Sequence, residues 1–219
     1  MGTLYVVTNG ETYGEKKGLV QGAVNSYLTE KGICYANCLS KLLNDFRIDI
    51  ILYSPYDRTR ITAEIIAQEK RLKIKSDTSF REKYFGQYEN RKLDTINFAS
   101  LFKYGVDIGL SEEMDDFVLR VKNEIVRIKR VYKDQNVVLV THPGPAAIIS
   151  CYFDDKNIPD GEGFVEILNK VKSVLVTQYT LWYNYIREDI IIWIKIINIF
   201  FFILFRLKLL PITLFYYII

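Results

Sequence analysis

The chain has 219 residues, 49% of them hydrophobic and 25% charged, with a formal net charge of +3. That length suits one α/β domain with some chain to spare, and the composition excludes a disordered polymer. The net charge is small and no basic run interleaved with aromatics tracks along one segment, so no nucleic-acid partner is implied.

Leu4-Tyr5-Val6-Val7 is a short apolar run and predicts a buried strand. Met1-Gly2-Thr3 leads directly into it, so no secretory signal is expected and the domain is expected in the cytoplasm. The strand ends in the loop Thr8-Asn9-Gly10-Glu11-Thr12. Such a turn delivers side chains to the carboxyl edge of a sheet, where open α/β folds bind ligands. Residues 13 to 27 are polar and predict a loop over that edge. Thr29 can cap a helix running to about Asp45, with Ile33, Ala36, Leu39, Leu42 and Leu43 on its apolar face.

Ile48 to Tyr53 predicts a second strand, punctuated by Ser54-Pro55. A helix follows from about Asp57 to Lys70, with Ile61, Ile65 and Ile66 at core spacing. Leu72 to Lys75 predicts a short third strand. Residues 76 to 110 show no clean period and predict an irregular stretch with a short helix near Asp94 to Tyr104. Ser111-Glu112-Glu113 reads as a helix start, followed by the apolar face Phe117, Val118, Val121, Ile125 and Ile128. Val137 to Val140 predicts a buried strand, with a helix starting near Pro145. Two last apolar runs, Val165 to Leu168 and Ser173 to Trp182, predict edge strands. Strands alternating with helices imply a mostly parallel sheet with helices on both faces.

Cys34 and Cys38 share a face of the first helix, and Cys151 stands apart. With a single histidine in the chain they make no metal site, and they are expected as small buried side chains in a reducing compartment.

From Ile190 to Ile219 the chain is almost entirely Ile, Leu, Phe and Tyr, broken by Lys195, Asn198, Arg206, Lys208 and Pro211. A bilayer span needs about 20 apolar residues. Ile190 to Phe205 is shorter and contains Lys195, which costs about 2.5–3.5 kcal/mol at mid-bilayer. A membrane-associated segment through residues 190–219, a packed or oligomer-burying tail, and a misread gene end are the readings left open.

Four stretches carry a resemblance. They are Thr8-Asn9-Gly10-Glu11-Thr12, Ser54-Pro55-Tyr56-Asp57-Arg58, Arg81-Glu82-Lys83-Tyr84-Phe85-Gly86 and Val138-Leu139-Val140-Thr141-His142. In that order and at those intervals the chain resembles the histidine phosphatase superfamily, the cofactor-dependent phosphoglycerate mutases and their phosphatase relatives. The resemblance implies a phosphoglycerate mutase-like α/β domain over residues 1–185, with 186–219 as a hydrophobic tail. It calls for no cofactor and no metal.

The family opens with Arg-His-Gly-Glu-Thr. Its histidine attacks phosphorus, a carboxylic acid protonates the leaving oxygen, and two arginines with a second histidine hold the phosphoryl oxygens. The resemblance places Arg58 on the second arginine, His142 on the second histidine and Glu82 on the proton donor. Gly144 stands where a backbone N–H is available, because Pro143 offers none. Thr8 takes the first arginine position and Asn9 the nucleophile position. An amide nitrogen is not nucleophilic, since its lone pair is delocalised into the carbonyl. Glu15 and Leu19 stand where the family tends to place Asn and Arg. Three readings follow. One is a catalytically impaired member that binds a phosphorylated or related anionic small molecule. The second is a phosphomonoesterase working through Glu82 and His142. The third is a membrane-associated scaffold.

Overall fold

Five strands form one sheet in the order β3-β2-β4-β1-β5: β1 Gly2–Thr8, β2 Ile50–Tyr53, β3 Ile74–Ser76, β4 Asn136–Thr141 and β5 Thr177–Leu181. The structure, a computed structural model, describes residues 1–106, 109–174 and 176–181. The apolar tail lies outside the described residues, and so does the membrane reading attached to it. Among the described residues no helix is long and apolar enough to cross a membrane.

β1, β2, β3 and β4 are parallel, and β5 runs antiparallel along β1. The alternation of β1 sets the two layers. Leu4 and Val6 face a core with α4 (Met114–Val131), α5 (Pro143–Phe153) and α6 (Gly161–Lys172). Tyr5 and Val7 face a second core with α2 (Glu30–Leu43) and α3 (Asp57–Gln68). The two faces follow from the period of 2 along a strand. On α4, Phe117, Val118, Val121, Ile125 and Ile128 are all buried, as their spacing predicts. Each such side chain contributes about 1.5–3 kcal/mol.

Several expectations are corrected. Val165 to Leu168 is not an edge strand but the middle of α6, whose buried positions Gly161, Phe164, Leu168 and Val171 repeat at helical spacing. The run was too short for its period to separate helix from strand. The stretch 94–104 forms 3₁₀ turns at Leu93–Thr95 and Phe98–Phe102 rather than an α-helix. α4 is capped at Glu113, not Ser111, and the helix after β4 starts at Pro143 with His142 as its N-cap. Residues 13–27 contain a short helix, α1 (Tyr13–Lys16), closed by a Thr12–Glu15 capping box. On α2, Ile33 and Leu42 are exposed while Ser40 is buried, so the apolar face is narrower than its sequence suggests. Cys34 and Cys38 are exposed on the outer side of α2, and Cys151 is buried.

The Asn9–Gly10 loop is pressed onto α2. A Cβ on Gly10 would meet the Gly32 carbonyl oxygen at 2.3 Å, and one on Gly32 would meet that of Glu11 at 2.2 Å. Two glycines are needed because two backbones meet there.

Candidate active site

Three neighbouring parallel strands end together. Thr8 is in register with Thr141, and Tyr53 with Val140. The residues that follow, Asn9, Ser54 and His142, therefore emerge side by side, with His142 between the others. Backbone bonds fix this edge: the Asn9 N–H donates to Thr141 O (3.0 Å) and the Ser54 N–H to Val140 O (3.0 Å).

His142 is buried and has protein partners at both ring nitrogens. Nε2 lies 2.8 Å from Ser54 Oγ. Nδ1 lies 3.0 Å from Asn9 Oδ1 and receives the Arg58 Nε–H at 3.2 Å. Burial, then the charges of Arg58 and Arg120, hold the imidazole well below its ordinary pKa, so it is neutral. A neutral ring satisfies one Nδ1 partner at a time. Either Nδ1–H donates to Asn9, or bare Nδ1 accepts from Arg58, and the Ser54 hydroxyl reverses with it.

Arg58, in the first turn of α3, is also buried. Its Nη1 donates to Val24 O (2.9 Å) and its Nη2 to Gly22 O (2.6 Å). One N–H on each Nη remains for a ligand. The loop that supplies those carbonyls is held by Glu89, whose carboxylate accepts the N–H groups of Gly22, Ala23, Val24 and Phe85 at 3.0–3.2 Å.

Glu82 is buried opposite. Oε1 accepts the Lys83 N–H (2.9 Å) and Oε2 the Gly144 N–H (3.0 Å). Burial raises its pKa above the usual carboxylate range, and those two bonds with Arg58 and Arg120 oppose the rise. A Cβ at Gly144 would meet Glu82 Oε1 at 2.0 Å, so this position stays glycine to admit the carboxylate. Arg120 anchors the strand of chain beneath, donating to the carbonyls of Ser79, Arg81 and Glu82.

Asn9, Arg58, Glu82 and His142 line one cavity of about 270 Å³. Thr8 and Gly144 are not among its lining residues. Thr8 closes β1, and the Gly144 N–H is committed to Glu82. The Asn9 amide is itself fixed, with Nδ2 donating to Gly10 O at 2.9 Å. Sequence reasoning missed the α6 wall: Val165, Leu168, Asn169 and Lys172 all line the cavity. Their spacing, i, i+3, i+4, i+7, is one helix face, and this was the available signal. It also missed Glu89 and Arg120 as supports, which no local pattern marks.

Residues 4–179 match the family model of the histidine phosphatase superfamily, branch 1. The chain belongs to this superfamily. Among curated relatives, the adenosylcobalamin/alpha-ribazole phosphatase of Escherichia coli (strain K12) is 26% identical over 155 residues, covering 67% of this chain and 76% of that protein. The solved alpha-ribazole phosphatase from Shigella flexneri aligns with a TM-score of 0.64 at 25% identity, over 71% of this chain and 81% of that one. A phosphoglycerate mutase from Bacillus anthracis str. Sterne shares the fold, with a TM-score of 0.63 at 22% identity over 78% of this chain and 96% of that one.

Proposed function

We propose that this histidine phosphatase superfamily member is a catalytically impaired one, which binds a phosphorylated or related anionic small molecule in the cavity between Arg58, Glu82 and His142 and does not hydrolyse it, having no free histidine to carry the phosphoryl group. The observation that carries the reading is Asn9. At the carboxyl end of β1, the position the family pattern gives to its nucleophile holds an amide tied to Gly10 O and facing His142 Nδ1. Its nitrogen has no free lone pair to offer phosphorus. A buried guanidinium with N–H groups to spare supports an anion site, and beside it in the cavity lies a buried carboxyl group held by backbone donors.

A phosphomonoesterase using His142 as nucleophile is disfavoured by the ring's own contacts, since both nitrogens already have protein partners. Water activation by Glu82 is the remaining catalytic route. It predicts turnover that survives Asn9→Ala and is lost with Glu82→Gln.

Calorimetric titration of the full chain with inorganic phosphate tests the binding reading. Saturable binding that Arg58→Ala weakens at least about tenfold is expected, because a charge-assisted contact contributes roughly 1.5–3 kcal/mol. Binding unaffected by that change would place the anion elsewhere and contradict the reading.

A further inference from the structure

The cavity carries a charge inventory that selects among anions. Its lining cations are Arg58 and Lys172, and its lining carboxyl groups are Glu15 and Glu82. Lys172 Nζ lies 3.9 Å from Glu15 Oε1, so these two offset each other across the mouth. Glu82 is neutral or negative and adds no positive charge. His142 is neutral. At most one uncompensated positive charge remains, and it sits on Arg58.

Glu15 is not free to withdraw. Its Oε2 accepts the Thr12 N–H (3.0 Å), while its own N–H donates to Thr12 Oγ1 (3.1 Å). Swinging the carboxylate away would undo the cap of α1. Leu19, Leu93, Phe98, Phe102 and Leu168 line the same cavity and give it apolar surface. A ligand that fills the cavity sets its charge on Arg58 and an apolar body on these side chains.

We propose that Glu15 makes the cavity selective for a singly charged head group on an apolar body, so that a monoanion is held in preference to a phosphomonoester dianion of the same shape. This deepens, and rests on, the anion-binding reading above. With Lys172 offset by Glu15, Arg58 meets the single charge of a monoanion, whereas the second charge of a dianion enters the cavity without a partner; removing the Glu15 charge frees Lys172 to supply one.

The test compares phenyl sulfate with phenyl phosphate, titrated into the full chain at about pH 8, where the phosphomonoester, with a second pKa of about 6, is a dianion. The unaltered protein is expected to hold phenyl sulfate at least as tightly as phenyl phosphate. Glu15→Gln keeps the capping geometry and removes the charge. It is expected to tighten phenyl phosphate about tenfold and phenyl sulfate about threefold. A second arm, Lys172→Met on the exposed end of α6, is expected to weaken phenyl phosphate more than phenyl sulfate. Equal shifts for both ligands, or no shift in either variant, would overturn the role of Glu15. Saturable binding of neither ligand would overturn both this inference and the anion-binding reading. Phosphate released during the titration would count against the non-catalytic part of the proposed function alone, since the Glu15 ratio is still measured with the sulfate and an early phosphate reading.

Discussion

At the residue scale the site is a set of polar groups that have found one another. His142 is bonded to Ser54 and Asn9 or Arg58, Arg58 to two carbonyls, and Glu82 to two backbone N–H groups. Buried polar groups must be paired, and here the protein supplies most partners itself. The state of His142 makes a prediction. Its pKa is depressed in the fold, while in the unfolded chain it stands near the ordinary 6.5. Below about pH 6.5 the unfolded state therefore binds more protons, and stability falls with falling pH by up to about 1.4 kcal/mol per unit until the folded value is reached. Above that range the contribution is fully present. His142 is the chain's single histidine, so no other imidazole contributes to this limb. Glu82, raised in the fold, acts with the opposite sign, losing its contribution as pH rises. Denaturant unfolding at about pH 7 and about pH 5.5 should show a loss roughly 1 kcal/mol larger in the native chain than in His142→Asn. Equal losses would mean that the ring is not held neutral.

At the scale of elements, the cavity is built by what surrounds it. The loop 22–24 presents its N–H groups to Glu89 and its carbonyls to Arg58, so one carboxylate indirectly aims a guanidinium. Glu89→Ala leaves these N–H groups and that of Phe85 without their shared acceptor. A cost of about 2–4 kcal/mol is expected from the loss of charge-assisted bonds in a half-buried site. Chemical denaturation measures it, and phosphate affinity should fall with it, because Arg58 loses its rest. A variant as stable as the native chain, with unchanged affinity, would show that the loop holds its shape without Glu89. α6 matters in the same way from the other side, since its face Val165, Leu168, Asn169 and Lys172 forms a wall of the cavity.

At the scale of the whole molecule, the sequence made legible what depends on period and order. The parallel strands and the buried face of α4 follow from apolar spacing. The convergence of Asn9, Arg58, Glu82 and His142 follows from the family pattern, and the structure brings all four to one cavity. What was not legible depends on contacts far apart in the chain. Glu89 holds residues about 65 positions away, and Arg120 reaches back about 40. α6 was hidden because Val165 to Leu168 is a short apolar run with two possible periods. Cys34 and Cys38 share a helix face, yet nothing local told which way that face turns. The central claim concerns the whole assembled site: an anion pocket that binds its ligand without turning it over. Release of phosphate from an aryl phosphomonoester by the full chain, set against an Arg58→Ala, His142→Ala double variant, tests it most directly. Release indistinguishable from that control is the predicted result. Turnover above the control, abolished by Glu82→Gln and retained in Asn9→Ala, would contradict it and make the protein an esterase that works without a phosphohistidine.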